Sequence, residues 1–248
     1  YFGHAGNQGD ALEWGGALGA MTADLTSYQG HGSVATPHGI LITWALMMEG
    51  GIQVNACGER FSNEHEGYSE QCIPVLAQPG RVVWNIYDER LHRLGMSFED
   101  YRSAVEAGAI RKALDLAALA KSIGVGAEGL ARTVEEVTRC AAGAAADPFG
   151  RDFTAHPALR PPYYAVKVTG ALFHTQGGLV VDADARVCDT AGRALPNLFA
   201  GGGAARGVSG AHVWGYLSGN GLLTAVTLGW IAGRAAAAAV TNATPSGS

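Results

Sequence analysis

Three glycine clusters in the last third of the chain could do chemistry: His174-Thr175-Gln176-Gly177-Gly178, then Gly201-Gly202-Gly203, then Ser218-Gly219-Asn220-Gly221-Leu222. Glycines grouped in this way let backbone N–H groups approach a ligand where any Cβ would collide. A helix beginning at Ser218–Asn220 aims its free N–H groups and positive dipole end at an anion or an electron-rich ring. One such cluster is a turn between strands. Three in this order, spaced by short apolar strands, predict the seat of a large, flat, phosphate-bearing cofactor. His174 stands directly before Gly177-Gly178, which places a proton donor inside that signature. His31 taken by itself reads as a hydrogen-bonded loop histidine, and His4, His38, His65, His92 and His156 as surface or structural residues.

These clusters need strands and helices to hold them. Apolar runs predict strands at Val82–Tyr87, Tyr163–Val168, Gly178–Val181 and Asn197–Ala200. Helical spacing and stop signals predict helices over Asp10–Ala20, with Asp10 as N-cap, and over Asn63–Gln78, ended by Pro79-Gly80. In the first of these Leu12, Trp14, Leu18 and Met21 are expected to share the inner side. Further helices are expected around Glu89–Leu94 and Phe98–Ala107, and over Leu114–Ile123, Glu128–Ala142 and Leu222–Val240. The last of these reads as a buried core helix. The glycine signals sit at the two ends of the chain and the middle is mixed and helix-rich, a layout that suggests one domain inserted into another.

With 17 Lys and Arg against 22 Asp and Glu, the net charge is −5, and no basic stripe exists to displace counterions from a nucleic acid. Only 16% of residues are charged and 36 are glycine, so much of the chain is buried and tightly turned. No apolar run reaches the roughly 18 residues that span a bilayer; Leu222–Val240 is interrupted by Gly229, Trp230, Gly233 and Arg234. Cys57, Cys72, Cys140 and Cys188 show no CxxC or metal-ligand spacing and read as reduced thiols of a cytoplasmic protein.

Gly9-Asp10 is similar to a Gly-Asp-Gly element with Ala11 in place of its last glycine. Gly58-Glu59-Arg60-Phe61-Ser62-Asn63-Glu64 is similar to a Gly-x-Arg-Phe-x-Asn-Glu turn, and Pro162-Tyr163-Tyr164-Ala165 to a Pro-x-Tyr-Ala strand. The segment 174–178 is similar to His-Thr-Met-Gly-Gly, and Leu198–Gly202 with Ser218–Gly221 to Leu-Tyr-Ala-Ala-Gly and Gly-Gly-Asn. Over nearly the whole chain the sequence thus resembles the flavoprotein subunit family of fumarate reductase and succinate dehydrogenase, which also includes ketosteroid dehydrogenases. The resemblance implies an α/β fold with an α+β cap: a partial Rossmann-like FAD-binding domain from residues 1–28 and 169–248, with a capping, substrate-binding domain inserted over 29–168. It implies FAD as cofactor, held at Gly9, Asp10, Gly177, Gly178, Gly202, Gly203, Ser218, Gly219, Asn220, Gly221 and Leu222. No GxGxxG follows a strand, so it also implies an N-terminally truncated chain, or a second polypeptide that seats the FAD pyrophosphate.

The reaction it implies moves a hydride between flavin N5 and one carbon of an activated C–C bond of a small molecule, with a proton to or from the neighbouring carbon. By position, His31 and His174 fall on substrate-contacting histidines and Thr43 on a substrate-contacting threonine. Tyr68 takes the place of a proton-donating arginine, and Trp44 and Met47 stand where a glutamate and an arginine support it. A second clamping arginine falls near His212, with Trp214–Leu217 inserted; Tyr216 lines the expected pocket and Arg206 is left as a carboxylate clamp. A phenol can donate a proton to an enolate-like centre; Tyr68 equally reads as a packed tyrosine with an exposed hydroxyl. Losing these charges removes the ion-pair partners of a dicarboxylate and makes fumarate reduction atypical. Three readings stay open: an FAD-dependent CH–CH oxidoreductase, a ketosteroid-type dehydrogenase, and a non-catalytic partner chain. The sequence does not identify the electron partner, and no metal site is expected.

Overall fold

The structure is a computed structural model, and it describes residues 1–243. In chain order the elements are α1 (Asp10–Ala17), β1 (Thr22–Ala23), β2 (Tyr28–Ala35), β3 (Ile40–Leu41), α2 (Ala45–Met48) and β4 (Ile52–Val54). There follow α3 (Cys72–Ala77), β5 (Val82–Asp88), α4 (Glu89–Gly95), α5 (Glu99–Glu106), β6 (Ile110–Ala113), α6 (Leu116–Ile123) and α7 (Ala127–Ala141). The chain ends with β7 (Tyr163–Thr175), β8 (Gly178–Leu179), β9 (Arg186–Cys188), β10 (Ala194–Phe199) and α8 (Asn220–Ala243). It divides into two compact units, one made of Tyr1–Gln29 with the chain from Leu172 onward, the other of Gly30–Ala171.

The Gly30–Ala171 unit is built on a sheet of order β3-β2-β7-β5-β4, with β6 also paired to β7. β5 and β7 run antiparallel in an unbroken register from Val82↔Thr169 to Asp88↔Tyr163. The large core includes the fully buried Ile42, Leu46, Ile52, Ile86, Leu91, Leu119 and Leu130. In α7 the buried Leu130, Val134 and Val137 fall at helical spacing, as expected. Helix α6 starts where the Asp115 carboxylate accepts the Ala118 N–H at 2.7 Å and ends at Gly124, whose φ of 72° suits glycine. The predicted Asn63–Gln78 helix is broken: a 3₁₀ turn, Glu64–Glu66, precedes Gly67 with φ 129°, and only Cys72–Ala77 is α-helical. That break lets the Ser69–Cys72 segment lie against β2, where a Cβ on Gly30 would meet Ser69 O at 2.8 Å.

In the other unit β1 pairs with β8, and β9 with β10, around a small core of Leu179, Val187, Ala200 and Ala205. Gly9, with φ 91°, occupies the cap position of α1 in place of the expected Asp10, because a left-handed backbone there favours glycine. On its inner side α1 carries Gly15, packed under Leu179, and Leu12, which meets the core as expected, while Trp14 and Leu18 are exposed rather than inward. Helix α8 departs most from expectation. Leu222, Leu223, Val226 and Trp230 are exposed, so within the described residues it is a surface helix, not a buried one. Its glycines and Arg234 do not interrupt it, and Asn220–Thr241 is long and apolar enough, by length and composition, to cross a membrane.

One polar cluster lies inside the larger unit. Glu64 is buried and meets Arg60 through two contacts, Nε–Oε1 at 2.9 Å and Nη2–Oε2 at 2.7 Å. Arg151 Nη1 donates to the same carboxylate at 3.0 Å, and Arg60 also pairs with the buried Asp147 carboxylate. Two negative and two positive charges thus neutralise one another. Burial would raise the Glu64 pKa, but hydrogen bonds from Arg60 and the charges of Arg60 and Arg151 hold it below the ordinary carboxylate value of 4.5. Replacing Glu64 by glutamine leaves two buried guanidiniums against one carboxylate and should cost about 3 kcal/mol in urea unfolding at pH 7. Because the folded pKa is depressed, the carboxylate's contribution is present above pH 4.5 and lost as the pH falls through the folded value. The Glu64→Gln difference should therefore shrink in acid; a difference independent of pH would contradict this account.

Candidate functional site

In the unit formed by the chain ends, a hollow of about 460 Å³ is lined by His174, Thr175, Gln176, Tyr216, Asn220 and Thr224 together with Gln29 and Ala205. Gly202, Gly203, Gly207, Gly219, Gly221 and Leu222 complete the wall. Its volume lies within the roughly 300–1,000 Å³ usual for small-molecule sites. The sequence positions α8 so that its first turn faces this space: Asn220 is buried and its amide donates to Ser209 Oγ at 2.7 Å and to Leu217 O at 3.1 Å. Thr224 Oγ1 donates back to Asn220 O at 2.9 Å. A Cβ built on Gly203 or Gly219 meets no protein atom within 4 Å, so bare backbone faces open space at both positions. Such a cradle, beside the N–H groups of a helix start, fits a flat ring with electron-rich edges.

His174 is half-buried at this rim. Its ring meets Tyr216 edge-on, with centroids 5.8 Å apart, and a Cβ on Gly221 would stand 3.3 Å from its Cε1. Gly177 and Gly178 follow the lining residues but serve packing: a Cβ would stand 2.3 Å from Asp24 O at the first and 2.5 Å from the Ala205 carbonyl carbon at the second. Among the other positions singled out in the sequence, Gly9, Asp10, Ser218, Arg206 and His212 are not part of this wall. Arg206 is paired with Asp24, and the His212 carbonyl accepts from Ser27 Oγ at 3.0 Å. Gln29, Gln176, Gly207 and Thr224 went unassigned in the sequence; the polar Gln176 in a segment otherwise like His-Thr-Met-Gly-Gly was the available signal.

In the Gly30–Ala171 unit, His31 and Tyr68 come together. Strand β2 carries His31; Gly32 N–H donates to Tyr68 O at 2.9 Å, and the two rings stack with centroids 5.1 Å apart. Trp44 meets His31 edge-on at 5.8 Å, just before α2, and the neighbouring Thr43 Oγ1 accepts the Ala45 N–H at 3.3 Å. His31 is buried, and its Nδ1 accepts the Ser33 N–H at 3.1 Å, so the neutral ring carries its proton on Nε2. Burial lowers its pKa to about 4. Trp44 Nε1 is buried without a protein acceptor.

The fold belongs to a class, the flavoproteins with an FAD-binding fold. The sequence pattern of the FAD binding domain family matches residues 2–222, and this chain belongs to that family, with FAD as its cofactor. It is 31% identical over 229 residues to a probable fumarate reductase of Shewanella frigidimarina, covering 92% of this chain and 38% of the relative. It is 31% identical to 4-oxocyclohexanecarboxylate 2-dehydrogenase of Sinomonas cyclohexanicum, covering 92% of this chain and 45% of that protein. Among solved structures it is similar to 3-ketosteroid delta1-dehydrogenase from Sterolibacterium denitrificans in complex with 1,4-androstadiene-3,17-dione. That match has 27% identity and a TM-score of 0.68, and covers 95% of this chain and 48% of the other. The chain thus spans less than half the length of each of these relatives. The resemblance to the fumarate reductase flavoproteins, read from the motifs, is borne out.

An NMR titration of the histidine rings should find one imidazole, lost in a His31→Asn variant, that stays neutral until about pH 4. Since the folded pKa is lowered from 6.5, its contribution to stability is complete above pH 6.5 and lost between there and pH 4. A midpoint near 6.5 would contradict the burial seen here.

Proposed function

We propose that this chain is part of an FAD-dependent oxidoreductase that acts on a CH–CH or C=C bond next to a carbonyl. The observation that carries the reading is the hollow in which His174 shares a wall with the open glycines 203 and 219 and the first turn of α8. When bound, FAD supplies the hydride acceptor or donor. The chain's own residues then have two tasks. Gly202, Gly203, Gly219, Asn220, Gly221 and Leu222 hold the flat ring against bare backbone, while His174 donates a hydrogen bond to a substrate oxygen on which negative charge builds. In the inserted unit, proposed as the capping domain, His31 is a second neutral donor, Thr43 a substrate contact and Tyr68 the acid or base for the neighbouring carbon. The partly Rossmann-like character of the flavin unit belongs to the same proposal.

A ketone is favoured over a dicarboxylate by how the arginines are engaged. Arg60 and Arg151 are committed to Glu64, and Arg206 to Asp24. Clamping a carboxylate with any of these three would require breaking its pair, whereas a neutral carbonyl needs only a hydrogen-bond donor. One relative is named as a 3-ketosteroid dehydrogenase, and another for 4-oxocyclohexanecarboxylate, which carries a ketone together with a single carboxylate.

Two outcomes are expected of the full-length, flavin-loaded protein. Gly203→Ala should fold as wild type, since a Cβ there meets no protein atom within 4 Å, yet lose flavin on gel filtration at least tenfold faster. Retention equal to wild type would remove FAD from this hollow. His174→Ala should keep its flavin and slow hydride transfer from a cyclic ketone by about 10²-fold, with fumarate turned over poorly by both proteins. Undiminished transfer in the variant, or fumarate as the better substrate, would sink the assignment.

A further inference from the structure

Asn220 begins α8 and lines the hollow, yet the protein uses only the nitrogen of its buried side-chain amide. Nδ2 donates to Ser209 Oγ at 2.7 Å and to Leu217 O at 3.1 Å. A carbonyl oxygen can only accept, so the atom facing Leu217 O must be the nitrogen, and the amide cannot be turned over. Ser209 Oγ also accepts the Leu217 N–H at 3.2 Å, so Leu217 is held through both its N–H and its carbonyl. Oδ1 is the unused end. It lies 3.5 Å from where a Cβ on Gly207, another wall residue, would stand, and no donor among the described residues meets it. Unlike Trp44 Nε1, it is open to contact from outside the protein.

Free donors stand beside this acceptor. In the first turn of α8 the Asn220 N–H donates to Leu217 O at 3.1 Å and the Leu223 N–H to Gly219 O at 3.0 Å. The N–H groups of Gly221 and Leu222, both wall residues, have no acceptor among the described residues, as the start of a helix requires. The wall therefore offers backbone donors next to one side-chain acceptor of fixed orientation. A ligand edge that matches it carries a carbonyl oxygen beside an N–H, which is the pattern of the imide edge of an isoalloxazine ring. We infer that Asn220 Oδ1 accepts a hydrogen bond from N3–H of the bound flavin, leaving the Gly221 and Leu222 N–H groups to a carbonyl beside it. The oxidised and the reduced ring both keep this proton, so the contact is available in either state. A buried amide whose oxygen no protein group satisfies is thereby accounted for.

This inference rests on the reading of the hollow as the flavin site, and the test keeps the two apart. The full-length protein is reconstituted with FAD or with FAD methylated at N3, which keeps both carbonyls and has no N–H there. Wild type should release the methylated flavin on gel filtration at least tenfold faster, the loss expected for one hydrogen bond. Equal retention would set another part of the cofactor against Asn220 and overturn the inference, and this comparison needs no variant. Because a methyl group also takes up space, the N3 proton is followed by NMR in protein loaded with ¹⁵N-labelled FAD. It should exchange with water at least tenfold faster in Asn220→Ala than in wild type. In Ser209→Ala, which loosens the same loop and keeps the acceptor, exchange should stay slow. Equal exchange in wild type and Asn220→Ala, or equally fast exchange in the two variants, would likewise overturn the inference. Flavin held by Gly203→Ala as firmly as by wild type would instead sink the reading on which it stands.

Discussion

The larger unit depends on the Glu64 carboxylate and the two guanidiniums that share it. Burying four charges costs several kcal/mol per ion before any attraction is counted, so the cluster persists only because its geometry is nearly complete. Arg60 presents two parallel contacts to Glu64, and Arg151 also donates to Gly51 O at 2.8 Å and Met47 O at 2.7 Å, with its buried Nε left without a partner. Those carbonyls lie at and just beyond the end of α2, so the ion cluster fixes the short helix that begins next to Thr43 and Trp44. Glu64 Oε1 also accepts the Gln53 N–H at 3.0 Å. From Gln53 a buried amide chain runs to Asn85 at 2.9 Å and on to Ser33 Oγ at 2.7 Å, beside His31. The ion cluster is thus connected by hydrogen bonds to Ser33, two residues from His31.

Glycine has two opposite uses in this chain, and the distinction decides how the sequence is interpreted. At Gly30, Gly32, Gly177 and Gly178 a Cβ would collide with neighbouring protein, so the missing side chain lets segments pack closely. At Gly203 and Gly219 a Cβ would meet nothing, and the bare backbone faces the hollow. Both uses look identical as letters. In the His-Thr-Gln-Gly-Gly segment the glycines therefore lie one layer behind the hollow, and the residues before them form part of its wall.

What was legible followed from local rules. The apolar spacing of α7, the stop at Gly124 and the strand at Val82–Asp88 each depend on neighbours within a few residues. What was illegible depended on long-range partners. Asp147 and Arg151 come from a connector more than 80 positions beyond Glu64, with no pattern of their own to announce them. The apolar composition of α8 suggested burial, yet burial is a property of what surrounds a helix and not of the helix; the described residues leave its Leu222 and Val226 exposed. The broken helix after Asn63 was hidden for the same reason, since Gly67 is tolerated in a helical pattern until tertiary packing calls on its positive φ.

The electrostatic character of the candidate residues follows from this division of labour. The buried charges of Glu64, Asp147, Arg60 and Arg151 neutralise one another, and the rings that touch His31 are those of Tyr68 and Trp44. Burial keeps His31 uncharged well into acid, and Ser33 sets its proton on Nε2. In the other unit, an amide rather than a charge stands against His174, and Asp24 takes up Arg206. A histidine held neutral, as His31 is, can strengthen a hydrogen bond as charge develops on an oxygen, without first stripping an ion pair. A fixed positive charge would instead bind a ground-state carboxylate tightly and gain less in the transition state. Under the proposed function, the same sequence changes that remove a dicarboxylate's partners would suit the chain to a substrate whose charge appears only during the reaction.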